Sequence, residues 1–277
     1  MKKKIFIFGH SGYIGSYLLK YLNNEEFETH GRRVPRPDNA NLHNFYHQFI
    51  SNFLDQNKNI SCIINSGGSI DCQTKQDFFF NSNFDVIFHK IIIEKKISIK
   101  YLSFNSTKIF SNALDNYTLS KKELDKNLIN NEMFYSLYID LVFDNDSPHF
   151  KTIKEKIKSI KINIIPAFKP GKNFYPINLD SLCITIKKII KGNYKIRKFI
   201  IIGDKKMNFC NLIEYVNETS RLKKKIFYIS SKLINKFPNF IKKILLKSKT
   251  FQQYDDDDWL KRINSEEFLI RKSDNEF

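Results

Sequence analysis

The segment KIFIFGHSGYIG, at residues 4–15, sets the fold class. A short apolar run ends in three glycines spaced G-x-x-G-x-x-G, and an amphipathic stretch follows at once. This order predicts a buried strand, a tight turn and a helix whose N-terminus can hold a pyrophosphate. We expect Gly9 to make the turn, Gly12 to admit the phosphates and Gly15 to let the helix lie against the strand. An ordinary glycine-rich loop is the alternative, which the strand-turn-helix context disfavours.

The composition allows one large domain, or one domain with a small appendage, in 277 residues. The net charge is +17, from 46 Lys and Arg against 29 Asp and Glu, and only seven of the 46 are Arg. Lysine is scattered along the chain, so we attribute the charge mainly to a general bias of the surface. A phosphorylated ligand is compatible with it, whereas no concentrated basic and aromatic patch indicates a nucleic-acid partner.

Metal and membrane sites are not expected. His43 and His47 stand at i and i+4 without a neighbouring Glu or Cys, and no Cys-x-x-Cys spacing occurs, so no metal site is predicted. The cysteines suggest buried thiols in a reducing compartment: Cys62, Cys72, Cys183 and Cys210. No secretory signal and no run of transmembrane length is found, so we expect a cytoplasmic protein without a membrane span.

A second strand is predicted over 27–31 and is followed by Arg32 and Arg33. In dinucleotide-binding folds, an acidic residue after this strand binds the ribose 2′-hydroxyl of NAD, whereas Arg accommodates the 2′-phosphate of NADP. No acid follows directly here, so the cofactor is NAD or NADP, with a preference for NADP. The alternative is that both arginines are solvated loop residues.

The rest of the chain alternates between apolar strand patterns and amphipathic helix patterns. Strands are predicted over 60–65, 99–104, 133–143, 162–166 and 199–203. Helices are predicted over 42–54, 78–95, 152–161, 178–190 and 208–219. The alternation predicts an α/β, Rossmann-like, doubly wound parallel sheet with a small C-terminal substrate-binding region. We divide it into a dinucleotide-binding core over 1–150 and a mixed substrate-binding region with a helical cap over 151–277, sharing its late strands with the core.

A Tyr and a Lys one helical turn apart follow the fourth predicted strand. Tyr117 and Lys121 share a helix face, and a nearby ammonium would lower the pKa of the phenol for proton transfer. Two other Tyr-x-x-x-Lys pairs occur, Tyr194/Lys198 and Tyr228/Lys232, so the spacing alone is weak. Only Tyr117 comes after a strand that ends in hydroxyl residues, in the right order behind the glycine turn.

With these pieces in order, the sequence resembles the extended short-chain dehydrogenase/reductases, the NAD-dependent epimerase/dehydratase family of nucleotide-sugar enzymes. The resemblance spans residues 4–219. The glycine turn looks like the family fingerprint, residues 65–68 resemble its Asn-Ala-Ala-Gly turn, and residues 104–110 resemble its Ser-Ser-x-x-Val-Tyr segment. Together with the arginines after the second strand, the residues expected to bind the cofactor are Gly9, Ser11, Gly12, Tyr13, Ile14, Gly15, Arg32, Arg33, Asn65, Ser66, Gly67, Asn83, Tyr117 and Lys121.

The resemblance implies a catalytic set of Ser106, Tyr117 and Lys121. Tyr117 would move a proton to or from a sugar oxygen, Lys121 would lower its pKa and bind the nicotinamide ribose, and Ser106 would bind the reacting oxygen. The family dehydratases carry Asp-Glu where this chain has Thr107-Lys108, which leaves 4-epimerisation or keto-sugar reduction. The resemblance also implies a homodimer.

Several features depart from the family or leave alternatives open. Only ten residues separate Ser106 from Tyr117, and Asp144 replaces a usual glycine, so the substrate is uncertain. A non-catalytic dinucleotide-binding protein that binds RNA or another anionic partner is the alternative function. The basic segment 223–246 is expected to be a packed helical cap, with a membrane-surface helix as the alternative. The acidic run 255–258 is expected to cap a helix.

Overall fold

The computed structural model describes residues 2–37, 41–169, 173–230 and 259–273. These form two compact units. The first comprises residues up to 140 together with 179–202 and 263–273, and the second comprises the described parts of 141–178 and 203–262. The division by role into 1–150 and 151–277 stays a prediction.

A seven-stranded sheet is the centre of the first unit, in the order β11-β8-β5-β4-β3-β1-β2. Its strands are β1 (Lys3–Phe8), β2 (Phe27–Arg32), β3 (Ile60–Asn65), β4 (Lys100–Ser106), β5 (Phe134–Ile139), β8 (Lys198–Gly203) and β11 (Phe268–Ser273). The six strands from β2 to β8 pair in parallel. The order reverses at β1, which pairs with both β2 and β3, and ligands bind at such a switch point beyond the carboxyl ends of the strands.

Five helices connect and flank this sheet. They are α1 (Tyr13–Leu22), α2 (Leu42–Gln56), α3 (Lys75–Glu94), α4 (Asn116–Asn127) and α6 (Leu179–Lys191). Helix α1 packs against α6, while α3 packs against both α2 and α4. The helices thus form two groups, α1 with α6 and α2 with α3 and α4, around the parallel sheet, which is the doubly wound α/β fold predicted from the sequence.

The core between β1 and helices α2 and α3 is aromatic. The Phe8 ring contacts four other phenylalanine rings at centroid distances of 5.1–6.4 Å, mostly edge to face. Those rings belong to Phe49, Phe53, Phe84 and Phe88. Each such pair adds roughly 0.5–1.5 kcal/mol beyond its area burial, so the strand that ends at the glycine turn is held firmly.

His89 is buried in this core without a hydrogen-bond partner among the described residues. Its ring stacks on Phe134 at 3.9 Å and meets Tyr101 edge-on at 4.9 Å. Burial lowers the pKa of His89 from 6.5 to about 3. Because the unfolded chain takes up this proton near pH 6.5 and the folded chain does not, stability is lost as the pH falls from about 6.5 toward 3.

Replacing His89 with phenylalanine should therefore reduce the loss of stability in acid. One pKa unit corresponds to about 1.4 kcal/mol, so the wild type should lose about 2 kcal/mol more than His89→Phe between pH 8 and pH 5. Urea unfolding at both pH values measures the difference. His43→Gln removes an exposed imidazole and should lose as much stability between pH 8 and pH 5 as the wild type. If His89→Phe also loses as much stability as the wild type over this range, His89 is not the group responsible.

The second unit contains two small sheets and two helices. Strand β6 (Ile164–Lys169) pairs in parallel with β10 (Lys225–Ser230), and β7 (Asn173–Phe174) pairs antiparallel with β9 (Met207–Asn208). Helix α5 (Pro148–Ser159) packs against α7 (Phe209–Thr219). Their shared core is formed by Phe143, Phe150, Ile153, Ile157, Ile165, Ala167, Cys210, Leu212, Ile213 and Val216.

The helical prediction for 223–246 is wrong where it can be compared. Residues 225–230, KIFYIS, form strand β10, because their β-branched and aromatic residues suit a pleated surface and β6 offers an edge for pairing. The remainder of that segment lies outside the described residues, as do the loop at 170–172 and the acidic run 255–258.

Two further boundaries differ from the sequence prediction. The strand predicted over 133–143 ends at Ile139, and Val142 forms only an isolated bridge to Ile177. Helix α5 begins at Pro148, earlier than predicted, because the Ser147 hydroxyl accepts from the Phe150 N–H at 3.1 Å and proline suits the first helical position. Within the described ranges, no helix combines the length and apolarity needed to cross a membrane.

Candidate active site

The glycine turn after β1 lies directly against a second turn after β3. Gly9 has φ of +81°, a left-handed conformation that favours glycine. A Cβ on Gly9 would stand 2.5 Å from the Gly67 nitrogen, so the two backbones leave no room for a side chain. Both the N–H and the hydroxyl of Ser66 donate to the Phe8 carbonyl at 3.0 Å. These contacts join the two predicted cofactor-binding turns.

The other two glycines set the position of α1. A Cβ on Gly15 would overlap the Gly9 carbonyl oxygen and lie 2.7 Å from both the Gly9 carbonyl carbon and the Ser66 hydroxyl. Gly12 is the N-cap of α1, and its N–H donates to the Gly9 carbonyl at 2.9 Å. No side chain caps the helix there. Tyr13 and Ile14 form its first turn, so this N-terminus has the features of an anion site.

A cleft of about 730 Å³ opens beside these turns. Its lining residues are Gly9, Ser11, Gly12, Arg32, Arg33, Val34, Pro35, Arg36, Phe49, Ser66, Gly67, Gly68 and Phe80. Arg32 ends β2 and stands opposite Phe8 in the register, one residue before the glycine turn. Among the described residues, three arginines and no Asp or Glu line the cleft, which favours an anionic ligand.

Each arginine of the cleft is held differently. The Arg32 guanidinium lies over the Phe49 ring at 5.7 Å, and Arg33 is exposed at the mouth. Arg36, which the sequence analysis did not single out, lies over the Phe80 ring at 5.0 Å and forms an ion pair with Asp77. Arg32 and Arg33 thus carry the positive charge that no carboxylate of the lining neutralises.

His10 and Gly31 fix the end of β2 against the glycine turn. A Cβ on Gly31 would stand 2.5 Å from Cγ of His10, so the imidazole occupies the space that a larger residue would fill. The contact holds Arg32, the next residue, at the edge of the cleft. Neither residue carried a signal in the sequence beyond its place in the motif.

The turn after β3 is held by two asparagines. Asn65 accepts from the Gly67 N–H at 3.0 Å through its side-chain oxygen. Asn81 of α3 clamps the same loop, because its amide accepts from the Ser69 N–H and donates to the Ser69 carbonyl, both at 2.9 Å. Asn83, the predicted cofactor residue of this helix, instead donates to the Ser82 hydroxyl at 2.7 Å. The structure brings Asn81 to the turn, and sequence reasoning missed it.

Ser106, Tyr117 and Lys121 come together beside that loop. Ser106 ends β4, and Tyr117 lies in the first turn of α4, which Asp115 caps by accepting from the Thr118 N–H at 3.0 Å. The Ser106 side chain is near enough to the Tyr117 phenol to lower its pKa, against the effect of burial. The buried Lys121 donates to the Phe104 carbonyl at 2.9 Å, and its Nζ lies 4.0 Å from where a Cβ of Gly68 would stand. Lys121 thus connects this group to the cleft.

The pKa of Tyr117 is opposite to the sequence expectation. Burial raises it to about 12, and only the Ser106 side chain opposes this effect. The expected lowering by Lys121 is wrong here, because the ammonium is directed to the Phe104 carbonyl and desolvation dominates. Burial also lowers the pKa of Lys121, while the charge of Asp85 opposes that shift. The phenol is therefore neutral at ordinary pH and is equipped to donate a proton.

Lys108 lies next to this group. It follows Ser106 in the short 3₁₀ turn Thr107–Phe110, and its Nζ lies 5.4 Å from the centre of the Tyr117 ring. Thr107 is buried and donates to the Asp140 carboxylate at 2.9 Å. No cluster of three His, Cys, Asp or Glu side chains that could hold a metal ion occurs in the described part of the chain, where the four cysteines are free and buried.

Comparison with known proteins gives fold relatives only. No family model and no curated protein matches the sequence. Among solved structures, dTDP-4-dehydrorhamnose reductase from Bacillus anthracis, in complex with NADP, superposes with a TM-score of 0.66 at 13% identity, over 84% of this chain and 86% of that one. A dTDP-4-dehydrorhamnose reductase from Clostridium acetobutylicum has a TM-score of 0.66 at 14% identity, over 94% of this chain and 97% of that one.

A dehydratase is similar as well. The dTDP-glucose 4,6-dehydratase from Bacillus anthracis, in complex with NAD, has a TM-score of 0.60 at 12% identity, over 83% of this chain and 85% of that one. These are nucleotide-sugar enzymes, and each superposition covers more than four fifths of this chain. The chain therefore has the Rossmann-like α/β fold of these reductases and this dehydratase, the fold class predicted from the sequence.

Proposed function

We propose that this protein is an NADP-dependent reductase of a nucleotide-linked keto sugar, in the family of extended short-chain dehydrogenase/reductases. One observation carries the proposal. Ser106, Tyr117 and the buried Lys121 lie together beside a cleft whose described lining has three arginines and no Asp or Glu. The similar solved structures include two dTDP-4-dehydrorhamnose reductases, one of them with NADP.

The residues of the cleft fit such a cofactor. The N-terminus of α1 and the close contact of Gly9 with Gly67 suit a pyrophosphate, and Arg32 and Arg33 suit the 2′-phosphate. Lys121 would donate to the nicotinamide ribose, and Asn81, in place of Asn83, would support the turn below it. When bound, the dinucleotide would supply the hydride.

Tyr117 would act as the proton donor at the substrate carbonyl oxygen. A phenol with a pKa raised by burial holds its proton at neutral pH and can deliver it to an oxygen that gains negative charge. The Ser106 hydroxyl, which lies near the phenol, would orient the same oxygen. Protonated Tyr117 is the form that reduction requires, so the raised pKa favours reduction over oxidation.

The residues after Ser106 support reduction over dehydration. A dehydration needs a further acid and base, and this chain offers a threonine and a lysine at these positions. Thr107 is buried against Asp140, so its hydroxyl is committed within the protein. Epimerisation requires no such groups, and it is therefore the outcome that the functional assay must separate from reduction.

The functional assay follows oxidation of NADPH with dTDP-4-dehydrorhamnose and with UDP- and GDP-linked 4-keto sugars. The proposal expects one of these to be consumed with stoichiometric NADPH, and the product to gain one hydride and one proton. Interconversion of two nucleotide sugars that differ only in the configuration at C4, without net NADPH use and by protein that retains NAD on purification, would show an epimerase and overturn the proposed reductase.

The preference for NADP can be tested at Arg32 and Arg33. Their double replacement by alanine should weaken NADPH binding about 10- to 100-fold, because charge-assisted hydrogen bonds contribute about 1.5–3 kcal/mol. Binding of NADH, which has no 2′-phosphate, should change little. Calorimetry with both nucleotides measures the ratio of the NADPH and NADH affinities. Arg271→Ala, which removes one arginine charge from edge strand β11, is the control and should leave that ratio unchanged. Equal weakening of NADPH and NADH would contradict the assignment.

We also propose that the protein is a homodimer, as the family resemblance implies, and that it is cytoplasmic and binds no nucleic acid, as the sequence patterns and the scattered charge indicate. The packed pair α3 and α4 includes the Tyr117 helix and is the expected contact region. Light scattering of the purified protein gives its mass in solution.

A further inference from the structure

A buried carboxylate lies beneath the proposed site. Asp85 of α3 is 3% exposed, although unpaired buried carboxylates are costly. It accepts hydrogen bonds from the Asn65 amide at 2.6 Å, from the Tyr101 phenol at 2.6 Å and from the Ser103 hydroxyl. Three donors from β3 and β4 thus converge on one side chain, the arrangement that stabilises an ionised carboxylate away from water.

Lys121 is a buried lysine on the helix that packs against the helix of Asp85. It belongs to α4, which packs against α3, and the Asp85 charge opposes the effect of burial on the pKa of the Lys121 ammonium. The other titratable groups around the pair are neutral. Burial raises the pKa of the Tyr101 phenol and of the Cys72 thiol, and it lowers the pKa of the His89 imidazole, one turn along α3, to about 3.

Asp85 also reaches the cofactor turn. Its partner Asn65 uses the amide nitrogen for Asp85 and the amide oxygen for the Gly67 N–H at 3.0 Å. The carboxylate therefore decides which way the Asn65 amide points, because a donor must face it. With the opposite orientation, the Gly67 N–H would lose its acceptor. One side chain thus touches both the turn after β3 and, electrostatically, the lysine of the proposed site.

We propose that Asp85 is a positioning residue, whose carboxylate keeps Lys121 an ammonium ion and orients the Asn65–Gly67 turn for the cofactor. The inference rests on the proposed function, because it gives Lys121 and this turn their roles in cofactor binding. A neutral Lys121 could still donate two hydrogen bonds, but it would lose its charge and one donor. No motif in the sequence points to Asp85.

The test measures the protonation of Lys121 directly. Protein labelled with ¹³C at the lysine ε-carbon is titrated by NMR from pH 6 to pH 11, and the Lys121 signal is assigned by its loss in Lys121→Met. In Asp85→Asn, the midpoint of that titration should fall by about one pH unit or more, since a nearby opposite charge shifts a pKa by 1–3 units. Ser103→Ala and Tyr101→Phe each remove one donor and keep the charge, so their midpoints should stay within about 0.3 unit of the wild type.

NADPH binding provides the second measurement. Asp85→Asn should weaken NADPH binding more at pH 9 than at pH 7, and Lys121→Met should abolish this pH dependence. If Asp85→Asn folds poorly, the double variant Asp85→Asn with Ser103→Ala is used in its place, because it removes a hydroxyl donor together with the charge that the donor faced. An unchanged Lys121 midpoint in Asp85→Asn or in this double variant overturns the inference. Failure of the wild type to bind any dinucleotide overturns the proposed function instead, and the NMR titration still decides the Asp85–Lys121 link.

Discussion

Replacing Tyr117 with phenylalanine should lower the rate of keto-sugar reduction by about 100- to 10,000-fold, the contribution usual for a positioned general acid. The variant loses only the phenolic hydroxyl, which is the proposed proton donor. The Lys121 ammonium, bound to the Phe104 carbonyl, and the arginines of the cleft are untouched. NADPH affinity should therefore change little, and single-turnover oxidation of NADPH separates the two effects.

The chain offers a matched control for this substitution. Tyr194 has the same Tyr-x-x-x-Lys spacing, but it is half-buried and its phenol donates to the Lys188 carbonyl at 3.3 Å, away from the cleft lining. Tyr194→Phe should leave the rate of reduction unchanged. A Tyr117→Phe variant with full activity would remove Tyr117 from the chemistry, and full function in cells with no detectable turnover would favour a non-catalytic dinucleotide-binding protein.

The second large effect is expected at Gly15, where alanine should destabilise the first unit and abolish NADPH binding. Alanine would normally stabilise a helix by about 1 kcal/mol relative to glycine. Here its Cβ would overlap the Gly9 carbonyl oxygen and stand 2.7 Å from the Gly9 carbonyl carbon, and backbone atoms cannot swing aside. The overlap forces α1 away from β1, at a cost of about 1–3 kcal/mol or more. Urea unfolding and calorimetry with NADPH measure the two consequences.

Gly12→Ala is the control for Gly15→Ala. Gly12 has φ of −79°, which any residue adopts, and its nearest neighbour for a Cβ is the Gly9 carbonyl oxygen at 3.3 Å. We expect its stability to stay within about 0.5 kcal/mol of the wild type, while NADPH binding weakens because the methyl group stands where the phosphates approach. If Gly15→Ala is as stable as the wild type, the close packing of α1 on the turn is not required.

Much of the fold could be predicted because local signals and tertiary environment agree there. The glycine turn combines a buried strand, a φ of +81° at Gly9 and a helix with no room for a Cβ at Gly15, and each feature requires a residue that the sequence supplies. Strands β1, β3 and β8 of the main sheet are largely apolar runs that lead into small residues. Strand β10 was missed because KIFYIS lies in a basic stretch whose hydrophobic periodicity does not distinguish a helix from a strand. Its partner strand β6 also lies some 60 residues earlier, so no local signal indicates the pairing.

The site was predicted in part, since motifs locate backbone positions better than side-chain environments. Ser106, Tyr117 and Lys121 converge, but the direction of the Tyr117 pKa depends on burial, which spacing does not reveal. Which of Asn81 and Asn83 contacts the turn after β3 depends on the rotational phase of α3, and the sequence pattern does not distinguish the two asparagines. Asp85 was invisible as well, because its partners come from β3 and β4.

The measurement that tests the central claim most directly is binding of NADPH, NADH, NADP and NAD to the purified protein by calorimetry. We predict saturable binding of one dinucleotide per chain, with NADPH and NADP bound more tightly than NADH and NAD, as the arginine-lined cleft requires. Absence of binding for all four nucleotides would contradict the claim and would leave the glycine turn a purely structural feature.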